Sequence, residues 1–154
     1  MWGLIATAAA GLEAGHGLAS VLKHNALMED QSAYAAVFHP TATASATACT
    51  TLSAVATGAS LAAYFSESDA NRDPAYLTAA VLAGLPIVYS MLVLAPAKVA
   101  LENKTLDVRQ RESYLRAWGV KKGVGFALSL LPFAGLLLVV SAGRDERSVG
   151  GVKF

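Results

Sequence analysis

Charge is scarce in this sequence, and cysteine is scarcer. Only 15% of the 154 residues are Asp, Glu, Lys or Arg, against about 25% in an ordinary globular protein. The charges gather in residues 66–73, 98–122 and 144–153 and leave long stretches nearly free of them. That distribution argues against a soluble domain and fits a polytopic membrane protein. A single cysteine, Cys49, excludes an intrachain disulfide and a cysteine-based metal cluster. In its Thr/Ala-rich surroundings it reads as a small packing residue. The net charge of +1 gives no reason to expect nucleic acid or another polyanion as partner. There is no Walker loop, dinucleotide fingerprint or nucleophile–base set, so no cofactor is expected. A basic leader and a clear cleavage site are absent as well, and the first helix is expected to act as an uncleaved anchor.

Apolar residues fill the space that charge leaves. They make up 55% of the chain, and the mean hydropathy is +0.47. A membrane helix needs roughly 20 mostly apolar residues. Four segments meet that length, at about residues 2–22, 41–65, 76–101 and 114–142. The fold class expected is therefore all-α: one membrane domain over 1–154, a four-transmembrane-helix bundle with a long charged loop between helices three and four and a polar tail at 143–154. Pro40 in "HPT" and Pro74 at the end of "SESDANRDP" stand where helices begin. Pro86, Pro96 and Pro132 lie within or near helical stretches and predict kinks in helices three and four. The first loop, 23–40, could hold a short interfacial helix. The loop 97–118 mixes apolar residues with charge and reads as helical extensions beyond the bilayer.

Four crossings would put both termini on one side. Lys23, Lys98, Lys104, Arg109, Arg111, Arg116, Lys121 and Lys122 would then face the other side, against Arg72, Arg144, Arg147 and Lys153. The positive-inside rule puts the richer side in the cytosol or matrix and the termini outside.

Helix one carries Thr7, Gly11, Gly15 and Ala19 at every fourth position. Such a row of small residues lets another backbone come close. Helix two carries hydroxyls throughout, among them Ser45, Thr47, Ser53, Thr57 and Ser60. They can bond back to their own helix or across to a neighbour, at about 0.6 kcal/mol per interhelical bond. A polar packing seam is the simpler reading; a lining for a cavity is the other. Trp118, Lys121 and Lys122 precede the fourth apolar stretch and suggest anchors at lipid headgroups.

Within "GLEAGHGLAS" stand Glu13 and His16, spaced i, i+3. Ionisable groups inside a membrane helix mark function by default. Glu-x-x-His is the spacing of di-iron bundles, but helices two to four carry no acid in their cores. That leaves a di-iron centre incomplete; a single transition-metal site would draw on Glu13, His16 and His24, and no metal is assigned. If the protein is an enzyme, Glu13, His16 and His24 are the catalytic candidates. Otherwise Glu13 and His16 satisfy one another or a neighbouring helix.

Four stretches carry a resemblance: "GLEAGHGLASVLKHNAL", "FHPTATASATACTTLSAVA", "VLAPAKVALENKTL" and "YLRAWGVKKGVGFALSLLPFAGLLL". On these the chain resembles the anthrone oxygenase-like family of small four-helix membrane proteins. The resemblance implies a four-helix scaffold and a cofactor-independent oxygenation of a polycyclic phenol, with Glu13 or His16 as base. Family members often have His-Pro where this chain has His24-Asn25, and Pro-Thr-Asn where it has Pro96-Ala97-Lys98. They often have Asn or His before Arg where it has Lys121 and Lys122. The oxygenation residues are thus largely replaced. The function expected is that of a non-catalytic accessory subunit of a larger membrane complex, the mitochondrial respiratory chain being the specific candidate. Its partners would be the lipid bilayer and other membrane subunits. It would sit in the inner membrane with both termini on the intermembrane-space side; the endoplasmic reticulum and plasma membrane are alternatives.

Overall fold

The computed structural model describes the backbone of residues 1–28, 31–66, 73–102 and 106–149. The described residues are helical and contain no strand. Helix α1 spans Trp2–Leu27, α2 Gln31–Ser66, α3 Pro74–Tyr89, α4 Ala95–Leu101 and α5 Val108–Val149. A π-helical turn, Ser90–Leu94, joins α3 to α4.

Local chemistry sets several boundaries. Asp73 caps α3 by accepting the Ala75 N–H at 2.8 Å, and Pro74 takes the first helical position. The π turn has its own cause. Proline at 96 has no N–H, and its ring crowds the carbonyl four residues back. One extra residue per turn just before it passes the Ala95 N–H to the Ser90 carbonyl instead. Pro86 and Pro132 lie inside unbroken helix. The departure from α-helical hydrogen bonding falls ahead of Pro96.

The helices run up and down around a ring. Helix α1 packs on α2 and α5, and α3 packs on the same two from the opposite corner. Alanine fills one end of the interior: Ala6, Ala9, Ala10, Ala56, Ala59, Ala79 and Ala83 surround Leu136. The other end holds larger groups, Phe38, Leu101, Leu115 and Trp118, with the Trp118 and Phe38 rings edge to face at 5.5 Å. Phe38 and Ala42 in that cluster draw the start of α2 into the bundle. This explains why α2 begins at Gln31 rather than at Thr41. Helix α5 likewise absorbs much of the charged stretch, so no long loop separates it from α4: the connection runs only from Glu102 to Asp107. Residues 103–105 within it, the polar turn at 67–72 and the last part of the tail, 150–154, lie outside the described residues.

The count of four membrane crossings needs correction. Among the described residues three helical stretches are long and apolar enough to cross a membrane: Thr41–Ser66, Pro74–Leu101 and Val108–Ser141. Helix α1 has the length, at 26 residues, but not the composition. Glu13, His16, Lys23 and His24, with four glycines, dilute its apolar content. The fold is an all-α bundle with three potential spans, not a four-span bundle. The placement of both termini on one side rested on four crossings and loses its basis with them. Exposed Leu12, Leu18, Val81, Leu92, Val120 and Leu138 give the outer surface an apolar character compatible with bilayer contact.

The row of small residues on α1 divides. A Cβ at Gly11 would meet the Phe133 ring at 2.8 Å, so Gly11 permits the close approach of α5. Nothing stands within 4 Å of a Cβ at Gly15, and Ala19 is exposed. Thr7 turns its hydroxyl back to the Gly3 carbonyl at 2.8 Å. Another glycine, Gly17, supplies the second close approach: a Cβ there would lie 3.2 Å from the Phe126 ring. Gly11→Leu should destabilise the bundle by about 1–3 kcal/mol through overpacking. Gly15→Ala should stabilise it by up to about 1 kcal/mol through helix propensity. Denaturant unfolding of the two variants in mixed micelles checks both signs.

Candidate functional site

Helix α1 turns its polar side chains onto the serines of α2. Glu13, 1% exposed, accepts a hydrogen bond from Ser53 Oγ at 2.6 Å. His16 Nε2 lies 3.3 Å from Ser45 Oγ. The two serines stand eight residues apart, two helical turns, and so share one face of α2. Glu13 and His16 therefore reach separate partners on the neighbouring helix. The i, i+3 spacing that suggests a working pair sets both on one side of α1 without joining them.

The His16–Ser45 contact continues across the bundle. Ser20 Oγ is 3.0 Å from Ser45 Oγ, and Lys122 Nζ donates to Ser20 Oγ at 2.6 Å. One direction of donation runs from Lys122 through Ser20 and Ser45 to His16. Lys122 Nζ also lies 5.7 Å from the centroid of the Trp118 ring, within cation–π range. The sequence pattern assigns Lys122 to lipid headgroups; its ammonium instead turns inward to α1. Trp118 of the same expected group is 4% exposed and belongs to the core. Lys121 contributes its backbone carbonyl, which accepts from Tyr89 Oη at 2.9 Å and ties α5 to α3.

Two cavities adjoin this chain of polar groups. The larger, about 250 Å³, lies between the alanine end and the aromatic end of the bundle, with Ser45, Tyr89, Leu94, Lys98 and Phe126 in its wall. The smaller, about 220 Å³, has His16, Lys23 and His24 in its wall. Ser20, Ala42, Ser45, Trp118 and Lys122 line both. An apolar cavity of about 150 Å³ already admits benzene, so each has room for a ring or a short chain. Glu13 lines neither. Lys98 Nζ donates to Thr43 Oγ1 at 2.7 Å and pairs with Glu102 at 3.6 Å, which fastens α4 to α2 at the rim.

His24 is buried where α1 passes α5. A side chain at Gly119 would collide with its imidazole, so the glycine makes its place. Burial pushes its pKa down, the nearby Lys122 charge lowers it further, and a hydrogen bond to the Leu115 backbone partly opposes both. Among the described residues no three His, Cys, Asp or Glu side chains gather as metal ligands. Glu13, His16 and His24 do not converge.

Sequence reasoning passes over Ser20, Tyr89 and Lys98 as site residues. Ser20 closes the very stretch that holds Glu13 and His16, and a hydroxyl one turn beyond an imidazole is the available signal. Tyr89 and Lys98 carry none, because the π turn that orients this part of the chain is not visible in a helical reading. No protein-family model, curated protein or solved structure matches the chain.

Ser53→Ala leaves the Glu13 carboxyl without its donor and should cost about 1–3 kcal/mol of stability. Ser60→Ala is the control. The Ser60 hydroxyl is buried with no partner among the described residues, so its loss should cost nothing. Equal effects of the two in the same unfolding assay would refute the assignment. The His24 pKa gives a pH dependence. A base whose folded pKa lies below its ordinary value binds its proton more readily unfolded. Its share of stability is complete above about pH 6.5 and falls as pH drops below that value. His24→Gln should flatten that acid limb in unfolding measured from about pH 8 to about pH 5.

Proposed function

We propose that this protein binds a small amphipathic molecule between its helices, within the membrane. The observation that carries the reading is the pair of adjoining cavities lined by one chain of hydrogen-bonded groups, Lys122, Ser20, Ser45 and His16. Polar groups inside an apolar bundle cost stability unless they are satisfied. A few convergent polar groups in a largely apolar cavity are the mark of a ligand site.

Oxygenation of a polycyclic phenol is the narrower form of this reading and rests on the resemblance to the anthrone oxygenase-like family. In that form His16 is the base that a ligand can reach. Glu13 is occupied by Ser53 and stands away from both cavities. Oxygen uptake with an anthrone substrate, wild type against His16→Ala, tests it. Substrate-dependent uptake that His16→Ala lowers by about 100-fold or more is the expected result; its absence removes the oxygenase and leaves the binding protein.

A second reading has its own observation. Gly15 and Ala19 face outward on α1 beside exposed Leu12, Leu18 and Leu22. That face supports the role of an accessory subunit, docked through α1 in a larger membrane complex. The mitochondrial respiratory chain is the assembly proposed, with the inner membrane as its location. Purification in mild detergent should yield a stoichiometric partner that Gly15→Leu releases. A protein that runs alone in both forms defeats this reading.

A further inference from the structure

Lys122 stands where the two cavities meet, with donors to spare. A lysine ammonium has three N–H donors. Lys122 gives one to Ser20 Oγ, and among the described residues no carboxylate lies within ion-pair distance of it. Trp118 is buried and lines both cavities, with its Nε1 closed off from them. Lys23, in the wall of the smaller cavity, adds a second positive charge close enough to act on Lys122. The hydroxyls beside it are neutral: Ser20 and Ser45 bond to each other, and Ser45 to His16. Lys98, the other ammonium of the larger cavity, is engaged by Thr43 and Glu102.

A group that completes this junction must accept hydrogen bonds and carry negative charge. Beyond the junction most of the larger cavity's wall is apolar, with Ala42, Ala46, Leu94 and Phe126 in it. We infer that the joined cavities take an organic carboxylate with a single apolar body, its headgroup on Lys122 Nζ and its body toward Phe126 and Leu94. A charge-assisted hydrogen bond from Lys122 offsets the charge of such a headgroup. A cavity of about 250 Å³ suits one ring system or one short chain rather than the two chains of a phospholipid. The inference rests on the ligand-binding reading above and adds the charge and shape of the ligand to it.

The test uses the full chain in nanodiscs of phosphatidylcholine and isothermal titration with two matched probes, 2-naphthoate and 2-naphthylmethanol. The carboxylate should bind at least tenfold tighter than the alcohol. Lys122→Met should erase that preference, and Lys122→Arg should keep most of it. Lys122→Gln, which removes the charge and keeps a donor of similar reach, should weaken naphthoate several-fold more than the alcohol. It serves as the second probe if Lys122→Met does not fold. Equal binding of the two probes, unchanged in the variants, overturns the anion site and leaves the cavity reading in place. Binding of neither probe overturns both. Displacement of naphthoate by phosphatidic acid placed in the nanodisc overturns the assignment to a single-bodied carboxylate and makes a lipid headgroup the occupant.

Discussion

Lipid offers no hydrogen-bond partner, and that constraint organises this bundle. Helix α1 brings Glu13, His16, Ser20 and His24 into an otherwise apolar assembly. Each must find its partner on a neighbouring helix. Ser53 and Ser45 on α2 answer the first two, Lys122 on α5 answers Ser20, and the Leu115 backbone answers His24. These contacts fix the rotation of α1 about its own axis. With its polar face inward, α1 turns Leu12, Leu18 and Leu22 outward. The same inward face leaves α1 too polar, taken alone, to rank with the three spanning stretches. Its place in the bundle depends on partners rather than on hydropathy.

Packing follows from that rotation. Glu13 and His16 can reach α2 while α5 closes on the adjacent side only because Gly11 and Gly17 present no side chain to Phe133 and Phe126. At the alanine end the helices come together tightly, and small methyl groups fill the interior. At the other end Trp118, Phe38 and Leu115 take the place of those methyl groups. Large rigid rings fill an interior less closely than small methyl groups do, and the two cavities lie next to this change of packing. The π turn adds to it. By rotating the chain one residue beyond helical phase ahead of Pro96, it brings Leu94 and Lys98 round to the cavity wall.

Much of this fold is legible in the composition and the prolines. Length, scarcity of charge and the position of Pro74 mark the helices and the start of α3. What fails is the sum over helices. A window of apolar residues looks alike whether it faces lipid or faces serines. The polar content of "GLEAGHGLAS" looks like an interruption within a membrane span, when it excludes that helix from the spanning set. The site is partly visible. His16 stands out in the sequence and lines a cavity, and the hydroxyls of α2 suggest a polar seam or a cavity lining. Lys122 misleads because a lysine ahead of an apolar run usually snorkels outward. Only the position of Ser20 on a facing helix, 102 residues away, draws it inward.

The contrast between Glu13 and Lys122 shows why the cavity, and not the Glu-x-x-His spacing, carries the functional argument. Glu13 is the more buried of the two, but it faces a serine in a closed contact, and it lines neither cavity. Its free oxygen, Oε2, has no partner among the described residues and no cavity to draw one from. Lys122 is less buried, and it stands where two cavities meet, with donors to spare. Burial alone would choose the carboxylate as the working group. Burial together with room and unspent hydrogen bonds chooses the ammonium. The chemistry this bundle can offer a bound molecule is therefore that of donors and positive charge on α5, oriented by the hydroxyls of α1 and α2.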